Sequence, residues 1–279
     1  MNIELEKLRT EVRNWLAANA PKDWREAATH DVFVAGQRDW FKKLVAAGYA
    51  IPHWPAAWPG GGRSLAEQKV IYEELARADA PRLLLSFVST YHAFATLHEC
   101  GNDEQKARYL PRIMEGETWC QGFSEPGAGS DLAAVRSRAE RTGEGWRLNG
   151  QKLWTTGAHH VDYMIALVRT SGSSDDRQRG LSQLIIDLKA PGVNIRPIVD
   201  LTGDAHFAEV FFDNVDLPAD ALIGAEGEGW KQVVAELAFE RSGPERIYSS
   251  VVLLDAWIAH LRAVGRNDAA TLDLVGDFT

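Results

Sequence analysis

The spacing of apolar residues changes twice along this chain, and the two changes constrain the fold more than any single motif. Up to about Glu117 apolar residues recur at helical spacing, beginning with Ile3, Leu5, Leu8, Val12, Trp15 and Leu16. From Thr118 the period becomes two. At about Gly229 helical spacing returns with Trp230, Val233, Val234, Leu237 and Ala238 as one apolar stripe. Strands and helices are grouped in blocks, and the chain reads as an α+β multidomain protein. The boundaries read as a helical domain over 1–117, a strand-rich domain over 118–227 and a further helical region over 228–279.

Within the first block the pattern predicts helices over 33–47, 65–77, 83–99 and 103–114. Ser64 stands three residues before Glu67, the signature of a capping box. Residues 52–62 hold three prolines and three glycines and exclude a regular element; they read as a connector with surface tryptophans. In the second block, strands are predicted over 136–141, 146–148, 163–168, 184–188, 193–196 and 207–212. Thr142-Gly143-Glu144-Gly145 and Asn149-Gly150 read as hairpin turns, and residues 171–176 as a polar loop tip. Many short strands with turn signals imply a barrel or sandwich. After Gly229, Pro244 interrupts the helical pattern. Either Ser242 caps a new helix with Glu245 as its partner, or one long helix kinks there; the kinked helix is the expectation. A further helix starts at about Asp268.

Composition removes several classes. The formal charge of −9 over 279 residues argues against a general nucleic-acid binder. No apolar run reaches about 18 residues, so no membrane span is expected. The acidic, amphipathic start lacks the form of a signal peptide. Two cysteines, Cys100 and Cys120, imply no disulfide framework and fit a cytoplasmic protein, with both read as small buried hydrophobes. His159-His160 lack a third ligand at metal spacing, so no metal site is expected. No nucleophile elbow and no Gly-x-Gly-x-x-Gly after an early strand is present.

The chemistry-bearing segment is Trp119-Cys120-Gln121-Gly122-Phe123-Ser124-Glu125-Pro126-Gly127-Ala128-Gly129-Ser130-Asp131. A strand-like run stops at Glu125-Pro126, and a small, donor-rich loop follows. Successive free N–H groups on such a loop make a concavity suited to phosphate. Downstream lies Asn149-Gly150-Gln151-Lys152-Leu153-Trp154-Thr155-Thr156, an aromatic plate beside two hydroxyls. Taken alone, Trp154 would be a core aromatic and the threonines strand residues. Taken together, and with Glu104-Gln105-Lys106 and Tyr109-Leu110-Pro111 ahead of them, the segments resemble the acyl-CoA dehydrogenase family. The resemblance runs from the first helix to about Val264.

That resemblance implies an N-terminal α-helical domain, a middle β-barrel domain and the start of a C-terminal helical bundle. It implies FAD as cofactor, an acyl-CoA substrate oxidised to a 2-enoyl-CoA, an electron-transfer flavoprotein as electron acceptor, and a homodimer or homotetramer at full length. It places the loop of residues 52–62 near the mouth of the active site. Carried over residue by residue, Gln121, Phe123, Ser124, Gly129 and Ser130 would lie along the flavin and its pyrophosphate. Trp154 would pack on the ring, Thr156 would meet N5, and Thr155 would lend backbone contacts. Ser130 and Arg241 would meet the CoA arm. Glu240, eleven residues beyond Gly229, holds the position of the base that removes the α-proton in part of the family; the bare residues Glu240-Arg241 read as an exposed helical pair. Glu236 and Glu245 lack the matching position and read as solvated. The family's later Arg-x-x-Phe-Gly motif is absent, so the expectation is a C-terminally truncated chain whose own activity is in doubt. Two other readings remain: a non-catalytic subunit of a hetero-oligomer, and a related flavin oxidase or monooxygenase.

Overall fold

The computed structural model describes residues 3–27, 30–241, 243–248 and 250–278. In chain order it contains α1 (Ile3–Asn19), α2 (His30–Ala47), α3 (Leu65–Arg77), α4 (Phe94–Cys100), α5 (Asp103–Met114), β1 (Trp119–Gly122), β2 (Arg138–Arg141), β3 (Gly145–Thr156), β4 (Tyr163–Arg169), β5 (Leu181–Asp187), β6 (Val193–Ile198), β7 (Phe207–Pro218), α6 (Gly229–Arg241), α7 (Glu245–Tyr248), α8 (Val251–Ala263) and α9 (Ala269–Phe278). Two compact units divide the chain. One joins Met1–Ala28, Lys43–Arg82 and Arg241–Thr279; the other joins Thr29–Lys42 and Leu83–Glu240.

The first unit is helical. Leu8, Val12 and Leu16 are the buried stripe of α1. Across from it, α3 buries Glu74, whose carboxylate accepts from Arg9 at 2.7 Å and from Arg13 at two 2.8 Å contacts. Burial alone would push the Glu74 carboxyl up; the hydrogen bonds from Arg13 and Arg9 outweigh it and hold it below the usual carboxylate range. The capping box forms as read: Glu67 N–H donates to Ser64 Oγ at 3.3 Å, and Ser64 N–H to Glu67 Oε2 at 2.9 Å. The loop over 52–62 differs from a connector with surface tryptophans. Trp54 is buried and meets Trp58 edge-on at 5.3 Å, and Gly62 N–H closes the loop onto Trp54 O at 2.6 Å.

The second unit is built on a curled seven-stranded sheet with ladder order β1-β4-β2-β3-β7-β6, β5 pairing with the other side of β4. Its core comes from alternation. Ala208, Val210, Phe212, Val215 and Leu217 of β7 point inward with Trp146, Leu148, Met164, Ala166 and Ile186. Cys120 sits in this cluster and Cys100 is half-buried; both thiols are free, and burial pushes both up. No helix among the described residues is long and apolar enough to cross a membrane.

Three local expectations are corrected. Asn149-Gly150 is not a hairpin: β3 runs through it, with a register shift between Leu148 and Gly150 against β7. Gly150 has φ of 145°, and a Cβ there would lie 2.4 Å from Ser137 Oγ. The glycine serves a bulge and a close approach, which sequence cannot tell from a turn. Next, the segment 83–99 is not one α-helix. A wide π-type turn, Val88–Ala93, precedes α4, and Phe94 N–H bonds back to Ser89 O. Finally, the helix after Gly229 does not run on with a kink. It ends at Arg241, and α7 begins at Glu245 after Gly243-Pro244, because proline supplies no N–H to the ladder and its ring crowds the preceding turn. The proposed cap Ser242 lies outside the described residues.

Candidate functional site

β1 enters the sheet parallel to β4, with Gln121 opposite Ile165, and releases the chain into the loop at Phe123. Glu125 and Ala128 exchange two backbone hydrogen bonds of 3.0 Å, folding Pro126-Gly127 into a tight turn. The N–H groups of Gly127, Gly129 and Ser130 meet no acceptor among the described residues. A Cβ added at Gly127 or Gly129 would meet nothing within 4 Å. The loop therefore offers free donors beside open space, the property an anionic ligand needs.

What holds the loop is Lys152 of β3, which is fully buried. Its ammonium donates to Glu125 Oε1 at 2.8 Å, Phe123 O at 3.2 Å and Leu167 O at 2.6 Å. Glu125 also accepts from the N–H groups of Arg136 at 2.7 Å and Ser137 at 2.9 Å. Burial alone would raise the Glu125 carboxyl; Lys152, Ser137 and Arg136 hold it below the ordinary range. Burial draws the Lys152 ammonium below its ordinary value, against the pull of Glu125. Leu153 N–H reaches Ser124 O at 2.9 Å. The two segments singled out from the sequence are thus stitched together, with Lys152 and Leu153 of β3 holding three consecutive residues of the loop, Phe123, Ser124 and Glu125.

Beyond that stitch β3 shifts register between Lys152 and Thr155, and Trp154 adopts φ of 59°. A left-handed tryptophan costs about 1–2 kcal/mol, and here the conformation turns the indole outward. Trp154 is 56% exposed and touches Phe207 edge-on at 5.8 Å. It is not the core aromatic its residue type suggests; that place is taken by Trp119 and Trp146. Thr155 is buried with its Oγ1 lacking a partner among the described residues. Thr156 is exposed and pairs with Phe207 in the ladder. Gln121 and Ser124 are half-buried, Phe123 is buried, and Gly129 and Ser130 are exposed. An outward aromatic plate and free loop amides suit a ligand that carries a planar ring and an anionic tail.

Helix α6 departs most from the sequence reading. Its buried residues are Gly229, Gln232, Val233, Glu236 and Glu240, while Val234 is 54% exposed. Three polar residues at positions i, i+4 and i+8 face inward. Gln232 Nε2 donates to Ile223 O at 2.9 Å. Glu236, read as solvated, is buried and has four side-chain partners. Its Oε1 lies 2.8 Å from His92 Nδ1 and 2.8 Å from Gln121 Nε2; its Oε2 accepts from Gln183 Nε2 at 2.8 Å and Thr96 Oγ1 at 3.1 Å. The spacing of Gln232, Glu236 and Glu240 was the available signal, masked by the apolar stripe beside it. Glu245 is half-buried, not solvated.

Glu240 is buried one turn beyond Glu236, so the exposed-pair reading fails for it; Arg241 is exposed. The loop and α6 also share apolar contacts, since Phe123, Ala128 and Val135 cluster with Val233, and Trp230 and Leu237 pack against them. Among the described residues no group of three or more His, Cys, Asp or Glu could hold a metal ion.

Comparison with known proteins follows the same division. The N-terminal domain model of the acyl-CoA dehydrogenases matches residues 2–117, and the middle-domain model matches 120–215. Acyl-CoA dehydrogenase IpdE1 of Mycobacterium tuberculosis is 44% identical over 246 residues, 85% of this chain and 63% of the relative. A solved structure described as the Tcur3481-Tcur3483 steroid ACAD superposes with a TM-score of 0.80 at 30% identity, over 95% of this chain and 68% of that one. The ChsE4-ChsE5 complex of Mycobacterium tuberculosis gives 0.76 at 32% identity, over 96% and 68%. The chain spans less than two thirds of the length of the first curated relatives it matches.

Proposed function

Since this chain belongs to the acyl-CoA dehydrogenase family, we propose that it serves FAD-dependent α,β-dehydrogenation of an acyl-CoA thioester to a 2-enoyl-CoA. The observation that carries the reading is the stitched pair of segments, with free amides on one and an outward, left-handed Trp154 on the other. Bound FAD would supply the acceptor for the β-hydrogen and its electron pair. The amides of Gly127, Gly129 and Ser130 would hold the pyrophosphate, Trp154 would cover the ring, and Phe123, Ser124, Thr155 and Thr156 would border it. Glu240 would take the α-proton; its burial is the environment that readies a carboxylate for that task. Ser130 and Arg241 would contact the CoA arm, a role resting on their sequence positions. An electron-transfer flavoprotein would take the electrons onward.

A second reading has a specific observation behind it. Two of the similar structures bear paired names, Tcur3481-Tcur3483 and ChsE4-ChsE5 complex. That supports a place in a hetero-oligomer alongside the homo-oligomer the family resemblance implies. The test is an absorbance spectrum after FAD reconstitution, followed by anaerobic addition of an acyl-CoA panel. Bleaching of a flavin band supports the dehydrogenase. Protein that stays colourless after reconstitution overturns the flavin reading, and fast reoxidation by air moves the assignment to an oxidase.

A further inference from the structure

The Glu236 cluster lies outside every residue assigned above except Gln121, and it sits behind that residue. Ser89 Oγ accepts from Trp119 N–H at 3.0 Å, so the wide turn is pinned to β1. His92 of that turn and Thr96 of α4 then face Glu236 from one side, while Gln121 of β1 and Gln183 of β5 face it from the sheet. Four donors meet two carboxylate oxygens, matching the roughly four lone-pair sites such a group offers. An ionised carboxylate only accepts. Both glutamines must therefore turn their NH₂ groups inward. Gln183 does so although its Oε1 is left buried without a partner among the described residues. His92 Nδ1 faces Glu236 Oε1 at 2.8 Å and Gln121 Nε2 at 3.0 Å, and beside an ionised carboxylate it is the protonated ring nitrogen.

The consequence falls on Gln121. With Nε2 tied inward, its Oε1 is the only polar atom it can offer a ligand, and it has no donor among the described residues. Gln121 is half-buried, two residues ahead of Phe123, so that oxygen stands at the root of the ligand loop. We propose that Glu236 is a positioning residue which locks Gln121 as a hydrogen-bond acceptor, and that the matching ligand group is an N–H donor of the imide type found in an isoalloxazine ring. The inference rests on the flavin reading for the identity of the ligand. The locked orientation itself follows from the chemistry of the carboxylate. A freely rotating amide could donate or accept and would discriminate poorly. A fixed acceptor rejects a ligand edge lacking the N–H, because an unsatisfied group is costlier than a missing bond.

The experiment is a titration with FAD and with 3-methyl-FAD, whose imide nitrogen cannot donate, read by flavin fluorescence. The proteins are wild type, Gln121→Leu, Glu236→Gln and the double variant, each checked by circular dichroism. For FAD, each single variant should weaken binding about 3- to 10-fold, the worth of one neutral hydrogen bond, and the double variant no further. Wild type should lose a similar factor with 3-methyl-FAD, and Gln121→Leu should not. Unchanged FAD affinity in either folded single variant, or additive losses in the double, would overturn the proposal while leaving the flavin reading intact. Should Glu236→Gln fail to fold, the 3-methyl-FAD comparison in Gln121→Leu decides alone. Wild type that takes up no FAD overturns both.

Discussion

Replacing Lys152 by Met removes the ammonium that ties the loop to β3 while keeping most of the side-chain volume. Three contacts disappear, at 2.6, 2.8 and 3.2 Å. The Phe123 and Leu167 carbonyls lose a donor, and among the described residues Glu125 keeps only the two backbone N–H groups of Arg136 and Ser137. Breaking a buried ion pair from one side costs about 3–5 kcal/mol, most of it from the charge left behind. The folding equilibrium should fall by roughly two to nearly four orders of magnitude. Urea unfolding followed by circular dichroism measures this as a lower midpoint at unchanged slope. Adding Glu125→Gln removes the stranded charge and should recover at least about 1 kcal/mol, a coupling of the size seen between touching groups. A midpoint for Lys152→Met within about 0.5 kcal/mol of wild type, or a double variant that is simply additive, would refute the idea that this pair holds the loop.

Glu240→Gln should leave folding and FAD binding intact and slow anaerobic flavin bleaching by about 10²–10⁴-fold; near-normal bleaching moves the base elsewhere. Gly129→Ala should leave the unfolding midpoint unchanged, since its Cβ meets open space, yet weaken FAD binding in a fluorescence titration; an unchanged affinity would remove Gly129 from the ligand site. Acid unfolding should depend on Glu74. Its folded pKa lies below the unfolded value, so its contribution is complete above about pH 4.3 and is lost as pH falls through the folded value. Glu74→Gln should therefore flatten the pH profile below that point, and an unchanged profile would remove Glu74 from the account.

The element blocks were legible because burial follows the apolar pattern. α5 falls on the predicted span, as does α3 with its capping box. The loop and the Trp154 segment were legible as a resemblance, and the structure supplies the reason they belong together, the Lys152 stitch. What escaped were features decided by tertiary contact. Gly150 looks like a turn until Ser137 is seen against it. Glu236 looks solvated because an isolated glutamate on a helix usually is; only the arrival of His92, Thr96, Gln121 and Gln183 from three other parts of the chain makes its burial tolerable. The φ of Trp154 has no sequence signal, because nothing in Leu-Trp-Thr asks for a left-handed residue.

The side-chain carbonyl of Gln183, without a partner among the described residues, has a consequence for how this chain would drift if released from selection. A buried acceptor without a donor costs about 1–3 kcal/mol, and buried polar clusters can often be exchanged for packed apolar side chains with no loss of stability. Selection for folding alone would therefore erode the cluster, trading Glu236 and its glutamines for leucine or methionine. The glycine loop over residues 126–130 is different, since its exposed glycines cost folding little and could persist as a relic. In a descendant of this chain, the fate of Glu236 and Gln183 would report the loss of a working site sooner than the loop motif would.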